Sequence, residues 1–295
     1  MIKFNNKEEF EQLCEKYLIY DESIPYYSKR IIKEIKNIES GLMQFSNNKT
    51  VVEQLKKDLE EIQSKALEIK PVLVEKYIDF FISVNCLMLE KNKIADPKII
   101  SMSYLDFLFY LINNDENTSY YETMFVEMCN LCFDTKNIKY RINEKGKTIL
   151  IINNEEYNGK DFDNIRNIIL YQNIPHYDDT YIDPKVEQAL KEAEMFQNKN
   201  KAKMASLEDQ RIMVLIKSSL SFNEIDKLTI RKFSKILERV DHIMHYNIYK
   251  TAQLSGMVEF KGELDHWMSE ITRDKYANIA TDFGSFKDKI NGKTN

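Results

Sequence analysis

Residues 206–271 read SLEDQRIMVLIKSSLSFNEIDKLTIRKFSKILERVDHIMHYNIYKTAQLSGMVEFKGELDHWMSEI. Within this stretch Ile230, Phe233, Leu237, Val240, Met244, Ile248 and Thr251 recur at steps of three and four, the period of a helix with one apolar face. Thr229 stands where an N-cap belongs. Gly256 follows the last periodic residue, where a left-handed backbone conformation can end a helix without steric cost. Ser206 with Asp209 and Ser221 with Glu224 have the spacing of capping boxes, which predicts two shorter helices before the long one. The opposite side of the long helix collects Arg231, Lys235, Arg239, His242, Tyr246 and Tyr249. Wet helix faces are usually built from Lys and Glu, whereas Arg and Tyr supply contact area with directional polar groups. These six residues are therefore expected to form a partner-binding face, against another part of the chain or another protein.

Upstream, helices are expected over residues 7–20, 26–38 and 51–69. The last is an amphipathic helix suited to be one arm of a helical pair. Pro71 ends it, and a more apolar segment carrying Tyr77, Phe80, Phe81, Val84, Leu87 and Met88 is expected deep in the first domain. Tyr104–Ile112 is apolar almost all round, so its period does not decide between helix and strand. Residues 124–132, 137–143 and 147–153 are short and rich in β-branched or aromatic types, with a turn at Glu144-Lys145-Gly146, and are expected to form three antiparallel strands. Helix spacing returns from Phe162 to Tyr171. A connector, a polar helix over 185–197 and a linker over 198–205 follow, and periodicity fades after Thr272. The expected fold is mainly α with a small inserted antiparallel β-sheet, an α+β class. Its parts are a helical N-terminal domain (1–116), the β element (117–160), a connector with helices (161–204) and a helical C-terminal domain (205–295).

Composition sets the outer limits. Among 295 residues there are only 7 Gly and 5 Pro, which favours helices joined by short turns. The formal charge of −5 argues against a protein that coats nucleic acid or membranes, since both need a basic surplus. No apolar run approaches the length needed to span a bilayer and the N-terminus has no signal-peptide core, so the protein is expected in the cytosol when made. Four cysteines are too few for a disulfide framework and are expected to be reduced.

Chemistry-bearing motifs are sparse. Cys129-Asn-Leu-Cys132 has the spacing of half a zinc site on a turn between strands, but the sequence offers no second pair at the usual distance. Two reduced cysteines are the plainer expectation, with zinc as the lesser one. His242 and His245 lie three residues apart on the polar side of the long helix and are expected at the surface. Trp267, the single tryptophan, is expected to anchor the last helix on the core. HExxH, GxSxG and GxxxxGK[ST] patterns are missing, and no catalytic site or cofactor is expected. Residues 206–240 also have the outline of a helix-turn-helix DNA reader, although only Arg231, Lys235 and Arg239 make a basic row.

The order and character of DFDNIRNIILYQN (Asp161–Asn173), YIDP (Tyr181–Pro184), SLEDQ (Ser206–Gln210), LTIRKF (Leu228–Phe233) and YNIYKTAQLSGMVEFKGELDHW (Tyr246–Trp267) resemble tail and baseplate assembly proteins of contractile-tailed phages with Gram-positive hosts. The MCNLC segment (Met128–Cys132) is similar to the CxxC of myovirus baseplate hub proteins, which lies in a small β element. The resemblance implies a non-enzymatic baseplate hub subunit or assembly factor that docks to other tail proteins, with self-association as a further mode. It also implies a place in the host cytoplasm during assembly and then in the virion tail.

Overall fold

A computed structural model describes residues 9–10, 12–14, 21–91, 94, 96–114, 118–133, 135, 137–177, 205–256, 266–269 and 271. The helix expected over 185–197, the linker up to 204 and the tail after Thr272 lie outside them. Two compact units emerge: residues 1–177 with 223–234, and residues 178–222 with 235–295.

Unit 1 begins with an arm. Strand β1 (Ile24–Tyr26) and strand β2 (Leu67–Ile69) pair antiparallel, Ile24 opposite Ile69, and form its root. Between them the chain runs out along α1 (Lys29–Gln44), capped by Ser28, and returns along α2 (Lys49–Gln63), capped by Asn48. A Cβ at Gly41 would lie 3.3 Å from Leu55 Cδ1, so the two helices approach closely where the side chain is absent. They pack on each other and touch the other elements little; Ile31 is the only fully buried residue of the pair. The helix expected to run to Ile69 stops at Gln63, because Leu67 and Ile69 alternate inward on a strand of the root.

The body of unit 1 is α3 (Tyr77–Ser83), α4 (Pro97–Ser101), α5 (Tyr104–Asn114), α6 (Thr118–Phe133) and α7 (Gly159–Asn173), with a sheet of order β3-β4-β5. Strands β3 (Ile138–Ile142), β4 (Thr148–Ile152) and β5 (Glu155–Tyr157) are antiparallel, with Tyr140 opposite Leu150 and Leu150 opposite Tyr157. The α+β class expected from the sequence is the one observed. The membership of the sheet differs: residues 124–132 are helix, and the third strand is β5. Asn153 (φ 52°) and Asn154 (φ 67°) make the tight turn into β5, with two consecutive left-handed residues as a two-residue hairpin needs. Helix α6 reads as a strand in sequence because it packs against α3, α5 and β2, which leaves no wide polar face to give a helical period.

Buried aromatic pairs tie the layers together: Phe109 lies 5.8 Å from Phe125, and Phe125 6.1 Å from Phe162. Asn158 and Asp161 form a reciprocal capping box at the start of α7. The next residue in the turn, Gly159, is fixed by close approach, since a Cβ there would lie 2.4 Å from Ser103 Oγ and 2.5 Å from Ser103 Cβ.

Residues 223–234 return to this body after a long excursion of the chain. The short helix α9 (Phe222–Asp226) buries Ile225, and residues 228–230 then pair antiparallel with residues 72–74. Val74 N–H donates to Leu228 O at 2.9 Å and Ile230 N–H to Val72 O at 2.9 Å. Thr229 caps the long helix α10 (Ile230–Leu254) by accepting from Lys232 N–H, and its hydroxyl donates to Asp21. In unit 2, α8 (Leu207–Lys217) opens with the expected Ser206/Asp209 capping box. The long helix ends as expected, with Gly256 at φ 69°.

Two outcomes follow for stability. Thr229→Ala removes the cap and the Asp21 bond together and is expected to cost about 1–2 kcal/mol in urea unfolding. Gly159→Ala is expected to cost about 1–3 kcal/mol by overpacking, with partial recovery when Ser103→Gly is added to open the space.

Candidate interaction surface

The six residues expected to form one partner-binding face are divided by the fold. Arg231 is 7% exposed, and its guanidinium donates to Tyr171 O at 2.8 Å. It fixes the start of α10 to α7 inside unit 1. Lys235 pairs with Glu238 at 3.6 Å, a surface contact of small energy. Arg239 donates to Trp267 O at 2.7 Å and Ser269 O at 3.0 Å, closing the turn at residues 266–269, and the Tyr246 ring lies 5.7 Å from that of His266. His242 is half-buried. Tyr249 stays 45% exposed, its ring 6.4 Å from that of His245. The structure thus gathers Arg239 and Tyr246 around residues 266–269, sends Arg231 into unit 1, and leaves Lys235 and Tyr249 facing solvent.

The apolar stripe of α10 changes character along its length. Ile230 and Phe233 are 4% and 0% exposed, whereas Ile248 and Leu254 are 62% and 77% exposed. The same amphipathic pattern that seats the first turn in a core is carried into water by the last three turns. Met268 and Trp267 are also open on the turn held by Arg239, so Trp267 is half-exposed and not the buried anchor expected of it. Contiguous exposed apolar patches mark contact surfaces, and Trp267 and Met268 are adjacent on this turn.

A second apolar surface was missed because its segment carries large apolar residues on both faces. In α3, Phe80 and Ser83 point inward, but Ile78, Phe81 and Ile82 are 61%, 65% and 51% exposed. The Tyr77 and Phe81 rings stack at 6.3 Å along that outer side. With Asp79 the one charged residue of α3, large apolar residues lie on both faces, and the packing of Phe80, Val84 and Leu87 into the core decides which is turned outward.

Cys129 and Cys132 do not sit on a turn between strands. They lie one helical turn apart in α6, 1% and 0% exposed, in the core that also buries Cys86. Burial pushes the Cys132 thiol up to about 12 and those of Cys86 and Cys129 higher than usual, whereas zinc ligation needs the thiolate. Among the described residues no group of three or more His, Cys, Asp and Glu side chains is placed to hold a metal ion. The most polar buried cluster of unit 1 is devoted to packing: Arg166 donates to Leu87 O, to Asn167 Oδ1 at 3.0 Å and to Tyr177 Oη at 2.6 Å, and lies 3.8 Å above the Tyr104 ring. Nearby, Asp163 accepts from Tyr104 N–H at 3.1 Å, and burial holds its carboxyl above the usual range. The native protein is expected to resist thiol alkylation at pH 8, with labelling of Cys86, Cys129 and Cys132 appearing in step with unfolding; fast labelling of the folded chain would contradict the buried placement.

Comparison with known proteins bears on unit 2. No solved structure is significantly similar to the chain. A curated relative, a probable E3 ubiquitin-protein ligase of Dictyostelium discoideum, is 34% identical over 106 residues, which is 34% of this chain and 2% of that protein. The chain spans so small a part of that relative that its activity has no bearing here. Residues 197–272, which include α8, α9, α10 and the 266–269 turn, match the family described as YomV second domain. That family is phage-derived, and over these residues the chain is similar to a phage-related protein.

Proposed function

We propose that this chain is a non-enzymatic phage tail or baseplate protein, a hub-region subunit or assembly factor that works by docking to other tail components. The observation that carries this reading is the exposure of Ile248 and Leu254 on a helix whose amphipathic pattern elsewhere seats residues in a core. Burying two such side chains against a partner contributes roughly 1.5–3 kcal/mol each before the costs of association. The helix lies within residues 197–272, the stretch similar to a phage-derived family, and this supports a partner from the same particle. A site of action in the host cytoplasm during assembly, and in the virion afterwards, follows from this reading. None of the described helices is long and apolar enough to cross a membrane.

The DNA-reader alternative loses its basic row: Arg231 is bonded to a core carbonyl, Lys235 to Glu238, and Arg239 to the carbonyls of residues 267 and 269. Its second helix, α9, has only 5 residues.

The test is co-expression with the tail-tube, tape-measure and baseplate proteins of the phage that encodes it. Ile248→Asp with Leu254→Asp is expected to weaken co-purification about tenfold or more, while circular dichroism stays that of the wild type. Unchanged co-purification would sink the assignment of this surface.

A further inference from the structure

The arm of unit 1 ends on an apolar tip. Met43 is 80% exposed and Phe45 46% exposed, at the turn between α1 and α2. From Ser40 to Val52 only Lys49 carries a formal charge, while the other charged residues of the arm crowd toward its root. Neither Met43 nor Phe45 is needed to join the two helices, whose close approach is at Gly41 and Leu55. A 16-residue helix carries this tip about 24 Å from the root.

The same unit holds an unfilled apolar pocket. It has a volume of about 260 Å³ and opens between α5, α6 and β3, lined by Phe109, Phe125, Val126 and Tyr140 with Glu122 and Lys139. Its origin lies in the sheet. Helix α5 covers β4, and α7 covers β4 and β5, but among the described residues no helix is laid along the edge strand β3, whose Tyr140 ring meets that of Phe109 at 4.3 Å. Tyr140 and Ile142, which share a face with the inward Leu150 and Thr148, therefore stay 48% and 61% exposed. The core there is short of one element.

We infer that the arm tip of one copy seats in this pocket of a second copy. The chemistry of the two patches matches. A thioether and a phenyl ring enter a pocket walled by aromatic rings, where sulfur-aromatic and ring-ring contacts add to the burial of apolar area. The rims also match in charge: Glu122 and Lys139 at the pocket, and Lys49 and Glu53 beside the tip, form no ion pair among the described residues, so each side offers one acid and one base. Tip and pocket are different surfaces of one chain. Their contact is heterologous and repeats head to tail, which builds a ring if the rotation closes and a filament if it does not. This contact goes beyond the proposed docking to other proteins and uses a different unit, so its failure leaves that reading untouched.

The purified full chain is tested alone by sedimentation velocity over a range of concentrations. Wild type is expected to gain mass with concentration. The tip variant Met43→Asp with Phe45→Asp and the pocket variant Val126→Asp, all at exposed positions, are each expected to self-associate about tenfold more weakly, with circular dichroism unchanged. An equimolar mixture of the two variants is the sharper measurement. Each retains one intact half of the contact, so the mixture is expected to form a complex of two chains and nothing larger. A wild-type chain that stays single, a tip variant that associates like wild type, or a mixture that stays apart would overturn the proposal. So would a pocket variant that associates like wild type, which would point to an arm-to-arm contact instead.

Discussion

The pairing of residues 228–230 with residues 72–74 is the constraint on which the rest depends. It joins parts of the chain more than 150 positions apart by two backbone hydrogen bonds, and three side-chain contacts reinforce it: Thr229 to Asp21, Lys232 to Asp21 at 3.6 Å, and Arg231 to the Tyr171 carbonyl. Closing so long a loop costs entropy that grows only slowly with its length, so a few buried contacts at the junction suffice to offset the increment. The consequence is local: the first turn of α10 is fixed between α7 and the 72–74 segment.

That fixed start gives the long helix two different jobs. Its first turn places Ile230 and Phe233 in a core, and its later turns present Ile248, Tyr249 and Leu254 to solvent. The apolar side chains of those later turns gain no burial within the chain itself. The outer side of α3 and the tip of the arm are likewise apolar and exposed. Each is a short run of large apolar residues on an element that is already held by its other side or by its root.

Among the described residues, two buried groupings of polar and thiol side chains are held by packing. Arg166 is stacked on Tyr104 and bonded to a carbonyl, an amide and a phenol, and the three thiols around α6 are kept protonated by the apolar core that surrounds them. Groups held this tightly at several points fix the packing of α7 and α6 against the rest of unit 1.

Local signals were legible in the sequence wherever a residue acts on its own backbone: the Ser206/Asp209 box, the Thr229 cap, the Gly256 terminus and the period of the long helix. The two-asparagine turn at 153–154 belongs to the same class, and it carried the signal for β5 that the run of apolar residues at 124–132 obscured. Three-dimensional contacts alone decided the rest. Helix α6 has no period because it is covered on several sides, and α3 has no sequence mark of its outer face because both faces are apolar. The six polar residues along α10 share a side in projection, yet Arg231 lies in a core, Arg239 holds a turn and Tyr249 faces water. Helical periodicity states which residues share a side; what covers that side is set by segments distant in the chain, whose approach no local pattern records.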